Sequence, residues 1–310
     1  SKPETPDHKA KTTACLIRSV NQVPGTPEKQ LAADLVEAQV AFGLAVREVQ
    51  IPSGVVNISA RLLTALQSGC VLMVSANTEY LDDLTSFARL HSKMMVLFVG
   101  GTIASVDQPA NFRWIADDAL SGAKLAGFAS AGKSTDGKVR LFLQPSYFQA
   151  KSIEEAFRKG VTDYNRVANS NVALVAYRAT NAKAVSSVLK KIDPTSVVAI
   201  FAGKSVWQGL TSFDSTGPIV FASDIQFGNT QKLRDSRVIA SVERDTSKAL
   251  LRAVSSLLDR KVSSNPKYRV SQTLKLNLIV LRTLDAGVFD GTLTERIDSY
   301  KQALISAKSN

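Results

Sequence analysis

The amino-acid sequence predicts an α/β fold of two doubly wound parallel-sheet lobes joined by a hinge. Helical and strand-like patterns alternate along the whole chain, as in right-handed β–α–β units. Several strand patterns are apolar at every position, which is typical of parallel strands that are buried on both faces. The chain has 310 residues, more than one hydrophobic core usually holds, so two lobes are expected.

The first half of the chain contains four strand patterns, and a helical pattern follows each of the first three. The strand patterns cover residues 14–20, 46–52, 70–76 and 94–100. The helical patterns between them cover residues 30–45, 57–69 and 78–93. Thr26 and Pro27 suit the N-cap and first position of the first helix, and Gly69 suits the end of the second.

The second half repeats this organisation and predicts a second sheet. Its strand patterns cover residues 139–145, 171–177, 196–202, 218–224, 238–243 and 273–281. Its helical patterns cover residues 117–132, 152–165, 181–192, 206–213, 244–261 and 294–308. The last helical pattern is amphipathic, as expected for a helix that covers one face of a core.

The lobe boundaries follow from these two series. Residues 1–13 are polar, charged and proline-bearing, and we expect them to form a flexible tether. The predicted lobes comprise residues 14–106 plus 238–270 for lobe one, and residues 107–237 plus 271–310 for lobe two. The hinge crossings would then fall near residues 105–108, 237–240 and 269–273.

The segment GFASAGKS, residues 127–134, matches the phosphate-loop pattern of nucleotide-binding enzymes. A phosphate loop follows a strand and opens a helix, whose N-terminus faces the phosphates. Here the order is reversed, because a helical pattern precedes the motif and a strand pattern follows it. We therefore predict that Gly132 is a left-handed helix C-cap and that Lys133 lies at the negative end of the helix dipole.

The composition narrows the classes of partner. The net charge of +11 is spread along the chain with no run of five basic residues, so no nucleic-acid partner is predicted. No apolar run is long enough to span a bilayer.

Cys15 and Cys70 open apolar strand patterns and are expected to be buried free thiols, with a disulfide as the alternative. The chain is expected to act as a monomer.

Ligands of open parallel sheets bind outside the carboxyl ends of the strands. The residues at these positions and at the start of the second lobe carry amide, hydroxyl, charged and aromatic groups, and both tryptophans are among them. The predicted ligand-binding residues are Asn21, Gln22, Asn77, Trp114, Tyr147, Phe148, Gln149, Arg178, Lys204, Ser205, Trp207, Asp224 and Gln226. No nucleophile elbow, dinucleotide-binding glycine pattern or zinc-ligand spacing occurs, so we predict no enzyme, no catalytic residue, no metal and no catalytic cofactor.

Several segments resemble the basic-membrane-protein (nucleoside-binding lipoprotein) family of type I periplasmic binding proteins. They are IASVD, FRWIADDALSGAKLAGFASAGKSTDGKVRLFL, IEEAFRKGV, PIVFASDIQ and VIASVERDTSKALL, between residues 103 and 251. The resemblance implies a periplasmic, inner-membrane lipoprotein with an N-terminal lipid anchor, which delivers a solute to an ABC transporter permease. It also places Asp224 at the family's ligand-binding acid.

The chain departs from the family's pattern after the first strand, where NQVPGTPEKQ replaces the loop D-x-G-x-N-D-x-S-F. The resemblance is greatest to riboflavin-binding members, which implies that riboflavin is the transported ligand. Its ring would stack on aromatic residues in the cleft between the lobes, and amides and Asp224 would contact the ring and the ribityl chain. The alternatives are a purine nucleoside or sugar bound by the same fold, a flavodoxin-like enzyme with a flavin cofactor, or the effector lobe of a repressor.

Overall fold

The computed structural model describes residues 12–21, 28–100, 109–115, 119–210, 217–223, 237–244, 247–258, 279–283 and 287–307. Most of the predicted tether lies outside these residues, but Thr13 already belongs to the first strand. The chain divides into two compact units.

Strands and helices alternate as the sequence patterns predict. The strands are β1 (Thr13–Ser19), β2 (Ala45–Ile51), β3 (Cys70–Ser75), β4 (Met95–Val99), β5 (Phe112–Ile115), β6 (Lys138–Leu143), β7 (Ala173–Arg178), β8 (Val197–Phe201), β9 (Ile219–Ser223), β10 (Val238–Arg244) and β11 (Ile279–Thr283). The helices are α1 (Glu28–Phe42), α2 (Ser59–Gln67), α3 (Leu81–Leu90), α4 (Ala119–Lys133), α5 (Ala150–Ala168), α6 (Ala182–Leu189), α7 (Lys204–Gly209), α8 (Ser247–Leu258) and α9 (Gly291–Ser306).

The first unit contains a five-stranded sheet in the order β2-β1-β3-β4-β5, and every neighbouring pair is parallel. Leu31 and Leu35 of α1 pack with Leu250 and Val254 of α8 on one face of this sheet. Helices α2 and α3 supply the core of the other face. The central strands are therefore buried on both faces, which explains their unbroken apolar sequences.

The second unit contains a six-stranded sheet in the order β11-β10-β9-β8-β6-β7. Its strands are parallel except β11, which pairs antiparallel with β10. Helices α4, α5 and α9 supply the core on one face, and α6 and α7 supply it on the other. The predicted fold class, an α/β chain with two doubly wound, mainly parallel sheets, is thus confirmed.

Two strands lie in a different unit from the one that the sequence predicted for them. Strand β5 pairs with β4 and extends the first sheet, although its residues were expected to open lobe two. Strand β10 pairs with β9 in the second sheet, although residues 238–270 were expected in lobe one. The predicted hinge crossings near residues 105–108 and 237–240 are therefore wrong. Strand β5 follows the first of them but still pairs in the first sheet, and β10 lies at the second of them but still pairs in the second sheet. The third, near residues 269–273, lies outside the described residues.

The phosphate-loop pattern is part of a helix. Gly127 and Gly132 both lie within α4, which ends at Lys133 and leads into a turn and then β6. The predicted left-handed C-cap at Gly132 is wrong, because the helix continues past this residue. The Lys133 ammonium donates a hydrogen bond to the carbonyl oxygen of Val288, at 2.8 Å. This lysine therefore fastens the end of α4 to the segment before α9.

Glycine at position 132 has a packing reason instead. A Cβ atom there would lie 2.2 Å from Leu293 Cδ1 and 2.9 Å from Tyr164 Cε2. Close by, the Tyr300 hydroxyl of α9 donates a hydrogen bond to Asp163 of α5 at 2.8 Å. Burial raises the pKa of Tyr300, and the hydrogen bond to Asp163 raises it further. Helix α9 is thus held against α4 and α5 by both close packing and a buried polar contact.

A disulfide joins Cys15 of β1 to Cys70 of β3, with their Cα atoms 5.9 Å apart. The expectation of free thiols is therefore wrong. The two strands are separated in sequence by β2, but they are direct neighbours in the sheet. Both cysteines are buried in the core that α2 and α3 cover.

Candidate functional site

The first sheet has a topological switch point between β1 and β3. The chain leaves β1 towards α1 on one face of the sheet, and it leaves β3 towards α3 on the other. Open α/β sheets with this strand order bind ligands outside the carboxyl ends of the strands at this crevice. In this chain the crevice is bordered by Ser19 at the end of β1 and by Asn77 just after β3.

Glu28, the first residue of α1, is buried beside this edge and is only 2% exposed. The backbone amide of Ser19 donates to its Oε1 atom at 3.4 Å. Its Oε2 atom is also buried and has no hydrogen-bond partner among the described residues. An acidic side chain buried to this extent is unusual unless all its oxygens are paired.

Arg18, the penultimate residue of β1, lies near this carboxyl group. One of its terminal nitrogens pairs with Glu48 Oε1 at 3.4 Å on the neighbouring strand β2. Its Nε atom is buried and, within the described part of the chain, has no hydrogen-bond partner. Within the described ranges, a buried donor and a buried acceptor without hydrogen-bond partners thus lie at the same sheet edge.

Asn77 and Tyr80 complete the polar surroundings of Glu28. The Asn77 side chain caps the short 3₁₀ helix Thr78–Tyr80 by accepting the Glu79 amide at 3.0 Å. Burial raises the pKa of the Glu28 carboxyl group, and the Ser19 amide, the Arg18 charge and the Asn77 side chain partly oppose this effect. Burial also raises the pKa of the Tyr80 phenol, and its contact with Ser19 opposes that rise.

The corresponding edge of the second sheet has its switch point between β6 and β8. There the Oε1 atom of Gln144 accepts the backbone amide of Gly203 at 2.8 Å, so these two groups satisfy each other. Gln149, which precedes α5, has a left-handed backbone with φ of 55°. Non-glycine residues seldom adopt this conformation, and they concentrate at functional sites.

Solved structures of other proteins share this architecture. A solute-binding protein of an ABC transporter system from Conexibacter woesei DSM 14684 superposes with a TM-score of 0.70 at 16% identity, covering 96% of this chain and 97% of that one. A transcriptional activator of the comK gene from Bacillus halodurans gives 0.66 at 14% identity, with coverages of 95% and 97%. The chain has the two-lobed α/β fold of the periplasmic binding proteins.

A carbohydrate transporter solute-binding protein from Agrobacterium radiobacter, solved with D-arabinose, shares this periplasmic-binding fold with a TM-score of 0.55. Its identity is 17%, over 93% of this chain and 99% of that one. No family model matches the sequence, and no curated protein matches it significantly. The likeness to the basic-membrane-protein family therefore stays a prediction.

Two of the four aromatic rings that were predicted to stack on a ligand are largely buried. Trp114 is 7% exposed on β5, where it packs edge-on against Phe98 and donates from Nε1 to the Gly100 carbonyl at 2.7 Å. Tyr147 is 6% exposed and packs edge-on against Phe201. Both rings belong to hydrophobic cores, which leaves little of their surface free, and their assignment as ligand contacts stays a prediction.

The two remaining aromatic predictions lie near the carboxyl edge of the second sheet. Phe148 is half-buried in the turn between β6 and α5. Trp207 of α7 is also half-buried, packs on the core that α6 and α7 supply, and donates to the Ala202 carbonyl at 3.0 Å. Both stay predictions as ligand contacts, and Trp207 has less freedom because it is tied to the backbone of its own loop.

Besides Gln149, which precedes α5, the polar predictions fall into three groups. Asn21 and Asn77 lie at the carboxyl edge of the first sheet, with Asn21 donating to the Ser53 hydroxyl at 2.6 Å. Arg178 ends β7 and forms an ion pair with Glu154 of α5. The others are residues whose side chains, or whose whole structure, lie outside the described part of the chain: Gln22, Lys204, Ser205, Asp224 and Gln226.

Sequence reasoning missed Arg18, Glu28 and Tyr80. The search took residues directly after strands, whereas Arg18 lies within β1 and Glu28 lies in α1. One signal could have revealed Arg18, since it breaks an apolar strand at a position that alternates with Ala14 and Leu16. A charged residue at a position of a strand that otherwise faces the core is uncommon and is worth examining.

Glu28→Gln is expected to stabilise the protein without ligand at pH 7. Burial raises the folded-state pKa of Glu28 above its ordinary value of 4.5. The contribution of this group to the free energy of unfolding is therefore fully favourable only below pH 4.5. The contribution is lost as the pH rises through the raised pKa, and glutamine removes this loss. Thermal melts from pH 4 to pH 8 should show an advantage of Glu28→Gln that grows with pH.

Glu37→Gln is the matched control, because Glu37 is an exposed acid on the same helix. Its melting temperature should follow that of the unchanged protein across the same pH series. An equal loss of stability in Glu28→Gln at every pH would contradict the expected burial effect.

Proposed function

We propose that this protein is the solute-binding component of an ABC importer and that it binds a small polyhydroxylated solute without transforming it. The observation that carries this proposal is the two-unit fold, which an ABC solute-binding protein matches over 96% of this chain. The polar groups at the β1/β3 switch point support this proposal, because ligands of open parallel sheets bind at such a crevice. The transporter permease would be its protein partner.

The disulfide supports an extracytoplasmic location. Disulfides persist in oxidising compartments such as the periplasm and are rare in the reducing cytosol. Cys15 and Cys70 form such a bond within the core of the first unit. Among the described residues no helix could cross a membrane. We propose a periplasmic protein, attached to the inner membrane by the N-terminal lipid anchor that the family resemblance implies.

A sugar or polyol is the solute that we favour. The arabinose complex of the Agrobacterium radiobacter protein supports this choice. Riboflavin and a purine nucleoside stay candidates, because a ribityl chain and a ribose also present several hydroxyl groups. Riboflavin has less support than its aromatic-rich sequence suggested, since Trp114 and Tyr147 lie in hydrophobic cores.

Calorimetric titration of the purified protein tests the proposal. The panel contains D-ribose, D-arabinose, ribitol, adenosine and riboflavin, with L-lysine and L-glutamate as charged solutes without a polyol. At least one polyhydroxylated solute should bind with micromolar or better affinity and be recovered unchanged. Riboflavin binding would also quench its fluorescence and colour the protein yellow. Failure of all five polyhydroxylated solutes to bind would overturn the proposed function.

A further inference from the structure

Among the described strands, β2 and β5 form the edges of the first sheet, and β7 and β11 form those of the second. An edge strand presents unpaired backbone groups, and proteins usually protect it with charged residues, prolines or bulges. Strands β2, β5 and β11 carry charged side chains within the strand: Arg47, Glu48, Arg113 and Arg282. Strand β7, with the sequence ALVAYR, has no charged residue before its last position. Its edge is therefore the least protected of these four.

The edge of β5 shows what such protection does. The carbonyls of Asn111 and Ile115 accept hydrogen bonds from the β4 side, so the carbonyl of Phe112 points away from the sheet. Arg113 Nη1 donates to this carbonyl at 3.0 Å and occupies it. The charged residue of β7 does not serve its own edge in this way, because Arg178 is paired with Glu154 of α5.

The outer backbone groups of β7 are those of alternate residues. The amide of Ala173 donates to the carbonyl of Gly137, just before β6, at 2.9 Å. Since successive residues direct their backbone groups to opposite sides of a strand, those of Leu174, Ala176 and Arg178 point away from β6. The register between β6 and β7 is continuous, so no bulge turns this edge aside. Ala176, in the middle of the edge, is exposed.

The free part of this edge has a defined beginning. Val172 lies just before β7, and its backbone would also point outward in the same alternation. Its amide donates to Asn165 Oδ1 at 2.8 Å, and its carbonyl accepts from Asn165 Nδ2 at 2.9 Å. The Asn165 side chain thus occupies both groups, and the edge that another strand could pair with begins at Leu174.

We infer that two copies of this chain associate through β7, antiparallel about a two-fold axis at Ala176. Ala176 then faces its own counterpart, and Leu174 of one copy faces Arg178 of the other. Every outward-facing residue of β7 is used, and each facing pair exchanges both of its backbone hydrogen bonds, which gives about six between the copies. The two sheets become one continuous sheet. This dimer goes beyond the proposed function, and the sequence alone had led us to expect a monomer.

The side chains of β7 suit pairing with a second copy of the same strand. Between the hydrogen-bonded positions, Val175 of one copy faces Tyr177 of the other, and pairs of an aromatic and a β-branched residue stabilise antiparallel strands. Tyr177 stacks on Phe142 with ring centroids 4.8 Å apart, so its ring is already ordered before the copies meet. The strand is thus complementary to itself in both its backbone and its side chains.

The charges at this edge also permit the contact. Arg178 would lie about 14 Å from its counterpart, because four residues of strand separate the two facing positions. That distance exceeds the screening length of about 8 Å at physiological salt, and Glu154 pairs with Arg178 within each copy. The net charge of +11 on each copy opposes association, so the dimer should become tighter as the salt concentration rises.

Sedimentation of the purified protein without added solute, from about 10 µM to about 1 mM, tests the inference. We expect a reversible dimer that forms at the upper end of this range, because one pair of strands buries less area than a standard interface. The amides of Leu174 and Ala176 should exchange their hydrogens more slowly in the dimer. A monomer at every protein and salt concentration would overturn the inference.

Ala176→Pro removes the amide at the axis and should raise the dimer Kd at least about 10-fold. The second sheet keeps its own hydrogen bonds, because the Ala176 amide points away from β6, so the variant should fold. Gln50→Pro is the matched control on the edge strand β2. Ala45 donates from its amide towards β1, so the Gln50 amide also points outward, and this residue is exposed. Gln50→Pro should leave the dimer Kd unchanged.

Ala176→Lys and Ala176→Glu test the position of the axis, because residue 176 faces its own counterpart. Each variant alone places two like charges opposite each other and should be monomeric throughout the concentration range. An equimolar mixture of the two variants places opposite charges there and should form dimers at least as well as the unchanged protein. A mixture that stays monomeric, or single variants that dimerise like the unchanged protein, would contradict an axis at Ala176.

Two further outcomes would assign the edge differently. If the transporter permease protects the amides of Leu174 and Ala176 from hydrogen exchange but a higher protein concentration does not, the permease is the partner of β7 and the inference is wrong. If a dimer forms that Ala176→Pro leaves intact, the copies meet at another surface and the inference is equally wrong. Solute binding is measured separately by calorimetry, so failure of the dimer leaves the proposed function standing.

Discussion

Reduction of the Cys15–Cys70 disulfide is expected to lower the free energy of unfolding by about 4 kcal/mol. The bond spans a sequence separation of 55, and closing a loop of that length removes substantial entropy from the unfolded chain. The native state should lose less, because both cysteines are already neighbours through the pairing of β1 with β3. Urea denaturation in the presence and absence of a reductant measures the difference on one unchanged sequence.

Two controls make this expectation specific. The variant Cys15→Ala with Cys70→Ala should have the same midpoint with and without reductant. The denatured, unreduced protein should resist thiol alkylation until reductant is added. Alkylation of both cysteines before reduction, or identical urea midpoints for the oxidised and reduced forms, would contradict the expected stabilisation.

The disulfide illustrates what the sequence could and could not predict. Each strand that carries a cysteine was recognisable from its apolar run, because burial on both faces leaves a local pattern. The pairing of the two cysteines depends on strand order, which places β1 beside β3 although β2 lies between them in sequence. Strand order is a non-local property, and neither cysteine carries information about its neighbour across the sheet.

The candidate site likewise has features that the sequence predicted and features that it did not. The rule that ligands bind at strand carboxyl ends pointed to Asn77, which lies beside Glu28 at the switch point and stays a predicted ligand contact. The sequence did not reveal that Trp114 is buried, because its side chain follows the core-facing alternation of a short strand that was not recognised as one. It also overlooked Glu28, an acid that is almost wholly buried at the same edge. Burial and pairing emerge only when the helices are packed on the sheet.

Alanine at Gly127 or Gly160 is expected to lower the free energy of unfolding by about 3 kcal/mol in each single variant. A Cβ atom at Gly127 would lie 2.2 Å from the carbonyl oxygen of Phe157, and one at Gly160 would lie 2.0 Å from that of Lys124. These obstacles are backbone atoms in α5 and α4, so they cannot move without separating the two helices. The higher helix propensity of alanine recovers only about 1 kcal/mol.

Urea denaturation of each variant measures this loss, and Gly291→Ala is the matched control. Gly291 begins α9, and a Cβ atom there would have no neighbour within 4 Å. Its replacement should leave stability unchanged or raise it slightly, through the propensity effect alone. A similar small effect at Gly127 and Gly160 would mean that α4 and α5 do not pack through their glycines.

The double variant Gly127→Ala with Gly160→Ala provides the sharper test, because both glycines serve one contact. Once the first methyl group has separated α4 from α5, the second should meet less resistance, so the combined loss should be smaller than the sum of the single losses. Additive losses would instead mean that the helices yield independently at the two positions. The close approach of α4 and α5 also explains why the phosphate-loop-like string GFASAGKS is rich in small residues. Gly127 and Gly132 are selected by the packing of neighbouring helices, and this requirement produces the sequence pattern without any phosphate to bind.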